Sequence, residues 1–129
     1  MKNRIGFLVF ASLVLSTALI PPSFAHHGNA AYDNKTVTVK GVVTAWRWTN
    51  PHTFLTFDAK DENGNVVHWL GEWNNPSTLI NFGITVKSFK VGEKVTVTMR
   101  GMAKSGANLG RVSKVVLSDG QELSMGDER

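Results

Sequence analysis

The sequence predicts a small all-β barrel with one short helix, and three observations carry that expectation. From residue 36 onward, valine- and threonine-rich segments alternate with a period of two, the signature of half-buried strands. Five such segments occur, and they are separated by Asn, Gly and Pro turn signals rather than by long helical patterns. A single helix signal falls between the third and fourth of them.

The first strand is expected over Thr36–Trp48. Val37, Val39, Gly41, Val43 and Ala45 lie on one face, and Thr38, Lys40, Val42, Thr44, Trp46 and Trp48 on the other. Gly41 in mid-strand marks a bulge or bend. Thr49-Asn50-Pro51 turns the chain into a second strand, His52–Lys60. Asn63-Gly64 is a hairpin signal that returns Val66–Trp73 as the third. Asn75 is then a good N-cap, Pro76 suits the first helical position and Gly83 the stop, so Ser77–Phe82 reads as a helix offering Leu79, Ile80 and Phe82 to the core. A connector carrying Ile84, Val86, Phe89 and Val91 leads to the fourth strand, Lys94–Met102, with Val95, Val97 and Met99 inward. A glycine-rich turn gives the fifth, Arg111–Leu117, and Ser118-Asp119-Gly120 turns toward a frayed tail over 124–129. Three meandering strands, a helix and a two-stranded hairpin make the order of an OB-like five-stranded barrel. A sandwich would need about seven strands and a lipocalin-like barrel eight.

The 35 residues ahead of the barrel read differently. Lys2 and Arg4 precede an apolar run from Ile5 to Ile20, Pro21-Pro22 breaks it, and Ser23-Phe24-Ala25 offers small residues for cleavage. Residues 1–25 are therefore expected to be a secretory signal peptide, too short in its apolar part for a span that needs about 20 residues. Cleavage after Ala25 gives a periplasmic or secreted chain with no stable membrane insertion. It leaves 104 of the 129 residues: a flexible arm, 26–35, then the barrel, 36–123. Two basic residues leave with the leader, so 12 Lys and Arg face 10 Asp and Glu, a net charge of only +2. Nucleic acid is not expected as a partner at that charge.

The chain has no cysteine, which excludes thiolate chemistry and iron–sulfur clusters. A metal would need histidine and oxygen ligands, and His26, His27, His52, Glu72 and His68 are the candidates. Cleavage after Ala25 would give His26 a free α-amine, which with its own Nδ1 can chelate one metal. A further imidazole completes a three-nitrogen set suited to copper, the strongest divalent binder of its row. His52, at the entry to strand two, falls opposite residues 72–75 of strand three. His68 lies about 13 Å along the strand from Glu72 and is the weaker ligand. The tryptophans Trp46, Trp48, Trp69 and Trp73 read either as core and structural aromatics or as a candidate ligand or partner face. No nucleophile elbow, carboxylate pair or phosphate-binding glycine loop is present, so no catalytic residue is expected.

Ala25-His26-His27-Gly28, Ala31-Tyr32-Asp33, Trp48-Thr49-Asn50-Pro51-His52, Asn63 through Trp69 and Gly92 through Thr98 together resemble an exported bacterial family, domain of unknown function 6152. The resemblance implies a periplasmic single-domain protein and assigns no activity. The expectation is a periplasmic binding protein, without enzymatic activity, that holds copper or another transition metal through N-terminal and turn histidines. The alternative is an accessory module docking on a membrane or redox complex through the aromatic face.

Overall fold

The structure, a computed structural model, describes residues 30–126. Its strands are β1 (Thr36–Arg47), β2 (Thr53–Lys60), β3 (Val66–Trp73), β4 (Lys94–Met102), β5 (Leu109–Leu117) and β6 (Glu122–Ser124), with α1 (Pro76–Ile80) between β3 and β4. They form one sheet in the order β3-β2-β1-β4-β5-β6, antiparallel throughout except where β3 meets β5. That parallel pairing, Leu70 with Leu109, Gly71 with Gly110 and Glu72 with Arg111, closes β1–β5 into a five-stranded OB-like barrel.

Closure brings two backbones together, and the residues at the seam are chosen for it. Gly71 and Gly110 face each other in register. A Cβ on Gly71 would lie 2.5 Å from Val112 Cγ2, and one on Gly110 would lie 2.9 Å from Met99 Cβ. Inside, Val43, Leu55, Phe57, Val97, Met99 and Val115 supply the inward faces of the strands.

β1 serves both halves of the barrel. Residues 36–42 pair with β4, and residues 42–47 pair with β2. The bulge that allows this lies between Val43 and Ala45, three residues beyond the expected position at Gly41. Thr44 is the extra residue, so the alternation changes phase there. Trp46, expected on the face opposite the valines, therefore joins the core side and packs edge-on against Phe89, with ring centroids 4.9 Å apart. Gly41 has another role: the β2 backbone crosses so close that a Cβ would lie 2.5 Å from the Asp58 carbonyl oxygen and 2.8 Å from the Phe57 ring.

The helix starts as its sequence demands, with the Asn75 side chain accepting the Thr78 N–H at 2.8 Å and Pro76 in the first turn. It is shorter than expected. In five residues it presents only Leu79 to the interior, while Ile80 and Phe82 are exposed. Ile84 and Phe89 of the connector take their place in the core, and Val86 and Val91 stay outside. Beyond the turn at Ser118–Gly120 the chain does not fray at once. Asp119 accepts the Gln121 N–H, and β6 pairs with β5, burying Leu123 opposite Val115.

Gly41→Ala is expected to destabilise the protein by about 1–3 kcal/mol, the cost of forcing atoms into a packed site. Where space allows, Gly→Ala instead stabilises by roughly 0.4–1 kcal/mol. Urea unfolding of the two proteins distinguishes the signs.

Candidate functional site

His52 follows a cis Asn50–Pro51 peptide bond at the start of β2. Its position is fixed from both sides. Thr49 Oγ1 donates to the His52 carbonyl at 2.9 Å, while the Thr53 N–H and hydroxyl both donate to the Asn74 carbonyl, at 3.2 and 3.0 Å. The register sets Phe54 opposite Glu72 and Thr53 opposite Trp73. His52 and Glu72 thus lie on one face as diagonal neighbours, and their side chains meet, His52 Nδ1 against Glu72 Oε1.

The second carboxylate oxygen is occupied as well. Tyr32 donates its hydroxyl to Glu72 Oε2. Tyr32 precedes the barrel but is held on it. Ala31 accepts the Lys104 N–H, Asp33 donates its N–H to the Met102 carbonyl at 2.9 Å, and Lys35 accepts the Gly101 N–H at 2.7 Å. The Met102 N–H returns to the Asp33 carboxylate at 2.9 Å. That bond and one from the Lys35 N–H hold the Asp33 carboxyl below its ordinary pKa. Arg111, level with Glu72 across the seam, sets its guanidinium 4.4 Å from the centre of the Tyr32 ring.

Burial, the hydrogen bond to Glu72 and the charge of that carboxylate push the Tyr32 hydroxyl up to about 12, with Arg111 acting in the opposite direction. Glu72 is thus a mostly buried carboxylate accepting from two side chains, and its oxygens fix the orientation of both. A histidine whose Nδ1 is committed to a carboxylate leaves Nε2 as its ligand atom, the arrangement typical of metal-binding histidines. The His52 side chain is 45% exposed, against 17% for Glu72, so the outward-facing partner of the pair is the imidazole. The cluster borders a cleft of about 390 Å3, shared with Trp73, Arg100, Arg111 and Ser113. The indole Nε1 of Trp73 is buried without a hydrogen-bond partner.

Of the other expected ligands, His68 is not part of this cluster. It faces Asp58 across β2–β3, Nδ1 to Oδ1 at 2.6 Å, on an open surface. His26 and His27 lie outside the described residues. Among the described residues, no three His, Cys, Asp or Glu side chains gather closely enough to hold a metal ion. The four tryptophans do not share one exposed face. Trp73 is inside the core, Trp69 stacks parallel to Phe57, and Trp46 packs against both Trp48 and Phe89, donating Nε1 to the Thr85 carbonyl.

A family model of a family of unknown function, DUF6152, matches residues 13–112. The chain belongs to that family. Neither curated proteins nor solved structures provide a match to this DUF6152 member. Its cluster therefore has to be read from its own chemistry. Tyr32 and Arg111 were not among the expected site residues. Tyr32 had two signals, as the sole tyrosine of the chain and as part of the Ala31-Tyr32-Asp33 segment that carries the family resemblance. Arg111 had none, because only barrel closure sets it beside Glu72.

Because Tyr32 is the sole tyrosine, phenolate absorbance follows it alone. In the native protein it is expected to remain mostly un-ionised at pH 11, whereas in guanidinium it titrates near its ordinary value of about 10. A folded-state pKa above the unfolded one stabilises the fold below pH 10, and that contribution is lost as pH rises toward 12. A native midpoint near 10 would show that the hydroxyl is not held by Glu72.

Proposed function

We propose that this protein is an exported binding protein, without enzymatic activity, that holds copper or another late transition metal at His52. The observation that carries the reading is Glu72, whose two oxygens hold His52 and Tyr32 at once. One contact occupies Nδ1 of a partly exposed imidazole and leaves Nε2 as its ligand atom. The other ties the N-terminal segment to the same carboxylate.

The chain supplies the remaining nitrogens. His26 lies six residues before Tyr32, and six residues of extended chain reach about 20 Å. If the leader is cut after Ala25, the α-amine and Nδ1 of His26 come within range of His52, with His27 beside them. Amine and imidazole nitrogens suit copper(II) better than the hard cations magnesium or calcium, which prefer oxygen. Glu72 acts in this reading through His52, raising its basicity and fixing its tautomer. Metal-free, the same carboxylate keeps the arm docked through Tyr32.

The test uses protein exported and processed from the full chain, titrated with copper(II) beside a form carrying one extra alanine before His26. The added residue is expected to weaken binding at least tenfold, as is His52→Ala. Glu72→Gln should cost about 10–100-fold, the range for groups that orient a ligand. Equal affinity of native and extended termini would remove the chelate. An intact mass that does not begin at His26 would remove its premise.

A further inference from the structure

A second concavity lies at the other end of β2. The β1–β2 pairing ends at Val42 with Asp58, while β1 residues 36–42 stay with β4. Ala59 and Lys60 therefore leave β1, and a groove of about 590 Å3 opens between them and the β4–β5 edge. From residue 52 to residue 60 a strand advances about 26 Å, so this groove is remote from the His52 cluster.

Its walls and rim differ in kind. The lining is largely aliphatic, with Val42, Ala59, Val66, Val95, Val116 and Leu117 beside the hydroxyl residues Thr96 and Ser118. Val42 and Val66 are among the exposed large apolar residues of the protein, 38% and 55% accessible. No aromatic ring lines the groove, which removes the stacking platform that a single-stranded nucleic acid or a planar ligand would use. The rim carries three lysines, Lys40, Lys60 and Lys94. Lys94 sits opposite Val42 across β1–β4, and Lys40 is its diagonal neighbour, so two of the ammonium groups rise from adjacent strands on one face. None of the three is engaged in an ion pair within the described residues. The acid at the rim, Asp58, is bonded to His68 instead.

We propose that this groove binds a single-chain amphiphile with one anionic head, its alkyl tail along the valine walls and its head on the Lys40–Lys94 pair with Lys60 adjacent. The volume falls in the range of small-molecule sites, about 300–1,000 Å3. The lining is largely aliphatic, with Thr96 and Ser118 its neutral polar residues, so it selects a tail mainly by contact, and the unpaired ammonium groups select a negative head. This site is independent of the proposed metal site and does not rest on it.

The probe is dodecanoate below its micellar concentration, added to exported protein in EDTA and followed by amide chemical shifts. Saturable shifts confined to Gly41, Val42, Ala59, Val66, Val95 and Val116 are expected. Dodecan-1-ol should bind at least tenfold more weakly, and the double variant Lys40→Glu, Lys94→Glu should lose at least tenfold in dodecanoate affinity. If that variant loses its dispersed spectrum, Lys94→Gln is read instead, with a loss of two- to fivefold expected. Equal binding of acid and alcohol, shifts spread elsewhere, or wild-type affinity in a folded charge variant would overturn the proposal. So would binding to phosphatidylglycerol vesicles without binding to monomeric dodecanoate, which would make the lysines a membrane-surface contact. A dimer in light scattering that Val66→Asp abolishes would overturn it too.

Discussion

The parallel pairing of β3 with β5 spans only three residue pairs, yet most of the molecule is arranged around it. It converts an open antiparallel sheet into a barrel and so covers the edge of β3 at residues 70–72 and that of β5 at residues 109–111. The glycines at 71 and 110 let the two backbones approach, and Val112 and Met99 fill the space that side chains there would need. The same pairing determines the chemistry beside it. Glu72 is the last β3 residue paired with β5, one step beyond the glycine, and its neighbour across the seam is Arg111. A carboxylate set there is largely removed from water while staying close to two loops and the N-terminal segment.

A mostly buried carboxylate is costly unless its oxygens are satisfied, and hydrogen bonds to charged groups contribute about 1.5–3 kcal/mol each. Glu72 meets that requirement with a phenol on one oxygen and an imidazole on the other. The stacking of Arg111 on the Tyr32 ring adds a cation beside the phenol. The segment from Ala31 to Lys35, sequence-expected as part of a flexible arm, is thereby connected to the barrel by backbone bonds to residues 101–104 and by the Tyr32 side chain. Structure and chemistry share one device: what anchors the chain entry also orients the histidine.

Strand pattern, turn signals and helix cap were all readable from local sequence. β3 and β4 begin and end where their alternation does, and Asn75 caps the helix with the bond its side chain predicts. His52 against Glu72 was also legible, because the Asn63-Gly64 hairpin determines the register between β2 and β3. What was not legible depends on distant parts of the chain. The bulge at Thr44 is required by β1 changing partners, and nothing in Val43-Thr44-Ala45 marks it, so the face of Trp46 was misread. Leu123 finds its place in β6 only because β5 offers an edge beyond the barrel seam. Arg111 and Tyr32 reach Glu72 through closure and chain entry, contacts separated by about 40 residues that no local pattern encodes.

The central claim is that Glu72 presents His52 as one nitrogen of a metal site completed from the N-terminus. Electron paramagnetic resonance of the exported protein with one equivalent of copper(II) tests it most directly, since nitrogen couplings count the ligands. Couplings to at least three nitrogens are expected, falling by one in His52→Ala while the protein stays folded. A spectrum that His52→Ala leaves unchanged would contradict the account, for copper would then sit on the terminus alone.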